Sequence, residues 1–123
     1  MESSFILTVG ENEYRLAMPT AKVVEAEKRL GESLLKASEH VDRTAVMAVA
    51  LWAGLQKYQH GMNENKVMDL IDRMQEEGCS FDGAEFEDFS IDARSKLFTL
   101  LLVVSGFFTW ETADQIRSEI AES

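Results

Sequence analysis

LFTLLLVVSGFFTW, residues 97–110, lies just downstream of DGAEFEDFSID, residues 82–92, and the contrast between them sets the reading of the chain. The first stretch is apolar from Leu97 to Val104 except at Thr99. Even extended to Phe108 it stays below the roughly 20 residues that span a bilayer. It predicts a helix from about Ile91 to Phe108, with Ser90 as its cap. The second stretch carries Asp82, Glu85, Glu87, Asp88 and Asp92 and no base, and predicts a solvated acidic loop. An apolar helix beside a solvating acidic patch describes a small protein whose task is to cover hydrophobic surface, its own or another chain's.

Outward from that point the pattern is mostly helical. Thr109 can cap a last amphipathic helix with Ala113, Ile116 and Ile120 inward. Upstream, Asn63 is a candidate N-cap, with Met62 placed to staple against Val67. Val67, Leu70, Ile71 and Met74 then follow the i, i+3, i+4, i+7 rule, Asp69 can pair with Arg73, and Gly78 ends the helix. Asp42 can cap a helix from Arg43 to about Tyr58, apolar on nearly every side from Val46 to Leu55, hence central, with Trp52 in the core. A shorter helix from Ala21 to Leu30 turns Val23, Val24 and Leu30 inward, sets Glu25 toward Lys28 and Arg29, and stops at Gly31. Ser33 starts another. In front, Phe5, Leu7 and Val9 alternate with Ile6 and Thr8, and Tyr14, Leu16 and Met18 resume the alternation after Gly10-Glu11-Asn12-Glu13. That is a β-hairpin ended by Pro19, after which Thr20 can cap. The expected fold is mostly α: a single domain over 1–123, with a hairpin at about 4–18 and a body of about five to six helices over 20–121.

Composition narrows the function. The chain has 123 residues and a formal net charge of −10. Residues 1–60 hold seven Lys/Arg against eight Asp/Glu, residues 61–123 five against fourteen, so the acid lies in the second half. Such a surface is repelled by phosphate backbones and anionic lipid, so neither nucleic acid nor membrane is expected as a partner. The single cysteine, Cys79, excludes an internal disulfide and reads as an incidental thiol in a loop, in acidic surroundings that do not activate it. The start, MESSFILTVG, lacks the basic n-region of a secretory signal, and a soluble intracellular protein is expected.

Chemistry has little foothold. His40 and His60 sit near predicted helix ends with no metal-ligand spacing. No GxGxxG, GxxxxGK[ST] or GxSxG occurs. Asp82-Gly83-Ala84-Glu85 lacks the alternating ligand ladder of a calcium loop. Gly31-Glu32-Ser33-Leu34 echoes the serine motif of carrier proteins, but with Glu32 in place of aspartate and Lys36 following, and a helix start suffices to explain Ser33. No catalytic, cofactor-binding or metal-binding residues are assigned, and no enzyme is expected.

The aromatics carry more. Phe107, Phe108 and Trp110 crowd a helix junction beside Gly106, with Leu101 and Val104 one and two turns behind. They either close the core against the last helix or form an apolar face that takes a partner's amphipathic helix. Leu101, Val104, Phe107, Phe108 and Trp110 are therefore the candidate partner-binding residues, and such a face favours self-association when no partner is present. Six methionines, Met1 included, hint at an adaptable surface.

One resemblance joins these pieces. FILTVGENEYRLAM, then Glu27-Lys28-Arg29-Leu30-Gly31-Glu32-Ser33-Leu34, then Leu51-Trp52-Ala53-Gly54-Leu55 and Val67-Met68-Asp69-Leu70-Ile71-Asp72 follow one another in an order that resembles the small tail assembly chaperones of long-tailed, siphovirus-like phages, prophages and gene transfer agents. It covers roughly residues 5–78. The resemblance implies a non-structural factor in the host cytoplasm that binds the hydrophobic helical tape measure protein and helps recruit tail tube protein. It also implies absence from the mature virion, no cofactor, and often a longer frameshifted form. Two rivals remain: a structural tail or connector component of the virion, and an acidic regulator or inhibitor that mimics nucleic acid.

Overall fold

The computed structural model describes residues 3–122; Met1, Glu2 and Ser123 lie outside them. Strands β1 (Ser4–Val9) and β2 (Asn12–Ala17) form the expected hairpin, Val9 facing Asn12 across the two-residue turn Gly10-Glu11. Strict alternation sets the faces: Phe5, Leu7 and Val9 are buried while Ile6 and Thr8 are only partly so. The expectation of a hairpin alone is incomplete. A second hairpin, β3 (Cys79–Phe81) and β4 (Ala84–Phe86), adds to β1 and makes an antiparallel sheet in the order β2-β1-β3-β4. Leu7 faces Phe81, and Phe81 stacks on Phe86 with ring centroids 5.0 Å apart.

This second hairpin corrects the reading of residues 79–92. Asp82 and Gly83 both take positive φ, 52° and 88°, the two central residues of a type I′ turn. Cys79 is therefore a buried strand residue and not a loop thiol. The acidic run starts in a strand, and its phenylalanines point inward: Phe81 and Phe89 are buried, and Phe86 packs on the core. Only Glu85, Glu87, Asp88 and Asp92 remain as the exposed acids.

Six α-helices complete the described chain: α1 (Thr20–Leu30), α2 (Leu34–Ala37), α3 (Thr44–Leu55), α4 (Glu64–Glu77), α5 (Ile91–Val104) and α6 (Trp110–Ala121). Mostly-α is the right class, with a larger sheet than the sequence suggested. Helix α3 is central, as its all-round apolar sequence requires: it packs against α1, α4, α5 and β2. Its Gly54 allows that crowding, since a Cβ there would sit 2.9 Å from Leu101 Cδ2 and 3.2 Å from Leu16 Cδ2. One continuous apolar core runs from Phe5 in β1 to Ile120 in α6.

Several local expectations hold. Asn63 accepts from the Lys66 N–H, Ser33 from Lys36 and Thr109 from Thr112, each as an N-cap. Val67, Leu70, Ile71 and Met74 are the buried stripe of α4. Others change. Helix α3 begins at Thr44 with Arg43, not Asp42, at its cap position, and ends at Leu55. There Gln56 Nε2 donates to the carbonyls of Trp52 (3.0 Å) and Met62 (2.9 Å), folding the chain back toward α4. Pro19, not Thr20, precedes α1. Val24 is exposed instead of inward. Glu25 pairs with Lys22, and Arg73 with Glu77 in place of Asp69. Trp52 is only partly buried, with the Arg29 guanidinium stacked 3.8 Å from its ring centroid and itself paired to Glu64.

One side chain that the sequence did not single out fixes the start of α5. Arg94 is 8% exposed with no carboxylate partner among the described residues. Its Nε donates to the Phe89 carbonyl (3.0 Å), and one terminal nitrogen reaches the carbonyls of Val41 and Asp42 and the Thr44 hydroxyl at 3.2–3.3 Å. Backbone oxygens thus solvate the buried cation, and Arg94 ties α5 to the segment entering α3.

Candidate functional site

The five candidate residues divide by the point where α5 stops. The expected helix to Phe108 ends instead at Val104, because Gly106 takes φ 86°. The Gly106 N–H then bonds Val103 O at 3.2 Å and the Phe107 N–H bonds Leu102 O at 3.4 Å, the paired bonds of a Schellman ending. From Leu100 to Val104, just before this reversal, every side chain is buried. Leu101 is 1% exposed and occupies the space beside Gly54, and Val104 is 5% exposed. Burying an aliphatic side chain stabilises by about 1.5–3 kcal/mol, so both side chains contribute to the chain's own core; Leu101 presents almost no surface, while Val104 also lines the groove between α5 and α6.

Past the reversal the side chains turn outward. Phe107 is 44% exposed and Trp110 56%, while Phe108 between them packs partly on the core. Between the end of α5 and the first turns of α6 lies a groove of about 320 Å³, lined by Val103, Val104, Phe108, Trp110 and Ala113, with Asp114 and Arg117 at its rim. Leu101 does not reach it; Val104 contributes to its floor. A second hollow, lined by Tyr58, Lys57 and Met18, shares Ser3 and Val104 with the first and so lies next to it.

Helix α6 forms one wall of the groove and is held from two sides. Ala113 and Ile120 are buried against the core and Ile116 packs on it, as the sequence predicted. On the other side Arg117 clamps Asp82 with two bonds, Nε to Oδ2 at 3.0 Å and a terminal nitrogen to Oδ1 at 2.8 Å, and also reaches the Ser4 carbonyl. The Asp82 hydrogen bonds hold the Arg117 pKa above its ordinary value. The turn residue Asp82 thus ties β3–β4 to α6, a link between residues 35 positions apart that no local pattern announces.

Among the described residues no group of three or more His, Cys, Asp and Glu converges as metal donors, and no helix is long and apolar enough to cross a membrane. Burial and the nearby Asp88 push the Cys79 thiol up to about 11, so it stays protonated at neutral pH. Compared with models of protein families, with curated proteins and with solved structures, the chain matches none.

Proposed function

We propose that this chain is a tail assembly chaperone of a long-tailed phage, prophage or gene transfer agent. It binds the hydrophobic helical tape measure protein in the host cytoplasm, keeps it soluble, and helps recruit tail tube subunits. The observation that carries the reading is the exposure of Phe107 and Trp110 at a groove whose lining includes Val103, Val104, Phe108 and Ala113, in a chain of net charge −10. Exposed aromatics at the edge of a groove are the usual anchors of a protein partner, and the surrounding acid keeps the complex in solution. The motif order over residues 5–78 supports the same reading from a different part of the chain. Weak contacts repeated along a long helical client add up through multivalency. The work is done by binding alone, without catalysis or cofactor.

The test is co-expression with the long helical tape measure protein proposed as its client, read as soluble yield and co-purification, together with mass spectrometry of purified particles. The reading expects a soluble complex and particles free of this chain. Particles that contain it, with the long protein insoluble and unbound, make it a structural tail or connector component. The nucleic-acid mimic has less support, because Asp82 and Asp92 are engaged by Arg117 and Lys96 and aromatics interrupt the remaining acids.

A further inference from the structure

The chain contains two tryptophans; cations lie over the ring of Trp52, with Arg29 at 3.8 Å and Lys22 at 5.5 Å from its centroid, and over Trp110 there is none among the described residues. At Trp52, Glu64 pairs with the Arg29 guanidinium. Ring, cation and carboxylate are all present. At Trp110 the indole is 56% exposed and no cation lies over it among the described residues. Two carboxylates stand near it in sequence on the first turns of α6, Glu111 and Asp114, both exposed, and Asp114 shares the groove with Trp110. Among the described residues neither forms a salt bridge, though the charge of Asp114 acts on Arg117 in the same groove. The one base at the rim, Arg117, is neutralised by its two bonds to Asp82. The groove thus offers the Trp110 ring and the Asp114 carboxylate beside the apolar Val103, Val104, Phe108 and Ala113, with Glu111 exposed on the same first turn of α6.

We propose that the occupant of this groove is a cationic amphipathic helix. Its apolar side chains lie on Val103, Val104 and Phe108, and a Lys or Arg lies on the Trp110 indole beside Glu111 and Asp114. The cation completes at Trp110 the arrangement that Arg29 completes at Trp52. Trp is the strongest aromatic platform for a cation, and a carboxylate beside it adds attraction that falls with salt. This rests on the reading of the groove as a client surface and adds the charge of the client segment that enters it.

The test uses two synthetic helical peptides of equal length, one Leu/Lys and one Leu/Glu amphipathic sequence, titrated calorimetrically into the whole protein at low and high salt. Three double variants accompany it: Phe107→Ser/Trp110→Ser, Glu111→Gln/Asp114→Asn, and Glu11→Gln/Glu39→Gln. The last makes the same change in net charge away from the groove. The proposal expects the Leu/Lys peptide to bind. Both groove variants should weaken it about tenfold or more, a loss of about 1.4 kcal/mol or more, while the distant pair stays within about twofold. Equal loss in the two charge variants would mean attraction to overall charge, and would overturn the proposal. Equal binding of the Leu/Glu peptide to the groove would also overturn it but leave the client surface standing. If neither peptide binds, or the aromatic variant binds as well as wild type while melting normally, the client surface falls too.

Discussion

Arg94 joins the start of α5 to the segment entering α3 through the carbonyls of Phe89, Val41 and Asp42. Replacing it by Met keeps similar bulk but leaves the carbonyls of Phe89, Val41 and Asp42 without their donor. We expect Arg94→Met to cost about 2–4 kcal/mol in denaturant unfolding, and Arg94→Lys to recover only part, since an ammonium cannot reproduce the spread of the guanidinium. The signal was faintly present in sequence: Arg94 sits three, four and seven residues before Leu97, Phe98 and Leu101, on the inward phase of α5. A charge in that phase is normally taken as a boundary residue, and only the tertiary fold supplies the carbonyls that make its burial possible. Cys79 gives a second prediction at this scale. Its thiol titrates at about 11 in the folded chain against an ordinary value of 9.0. The folded state therefore holds its proton where the unfolded state has lost it, so this group's stabilisation is complete below pH 9 and is lost as pH rises toward 11. A Cys79→Ala variant should lack that alkaline decline, and native wild-type protein should resist thiol reagents at pH 8 until denatured.

Among the elements, those legible in sequence were the ones with a strong period or a clear cap. The hairpin with its alternation in β1, the amphipathic stripe of α4 and the caps Asn63, Ser33 and Thr109 all stand where the pattern put them, whereas β2 does not alternate: Leu16 and Ala17 are both buried. The second hairpin was missed although its signal was present: Asp82-Gly83, flanked by Cys79-Ser80-Phe81 and Ala84-Glu85-Phe86, is a type I′ pair between short alternating runs. The density of acid drew the reading toward a loop, and strands of three residues have little period to weigh against it. They persist because β1 and the core supply the pairing and burial they lack alone. Asp82→Asn tests the element's link to α6. Asparagine tolerates the positive φ, so the turn survives while the charged clamp on Arg117 is lost. A cost of about 1–2 kcal/mol is expected, smaller at high salt in its electrostatic part, with faster amide exchange concentrated in α6.

At the scale of the whole molecule, the uneven charge and the groove belong to the same description. The second half of the sequence carries most of the negative charge and also presents Phe107 and Trp110, so these exposed aromatics sit in the most acidic part of the chain. The sequence located this junction but did not divide it: Leu101 and Val104 share the apolar run with Phe107 and Trp110, and only the reversal at Gly106 separates core from surface. Phe108→Ser should lower stability by about 1–3 kcal/mol, since its ring packs on the core. Changing Phe107 and Trp110 together should leave stability within about 0.5–1 kcal/mol, as expected of exposed positions.

The most direct test of the account is a paired measurement on Phe107→Ser/Trp110→Ser: its thermal unfolding alone, and its recovery, after co-expression, of the long helical tape measure protein proposed as its client. The account predicts a melting temperature close to wild type with the partner lost to the insoluble fraction. A variant that melts normally and still brings down soluble partner would contradict it.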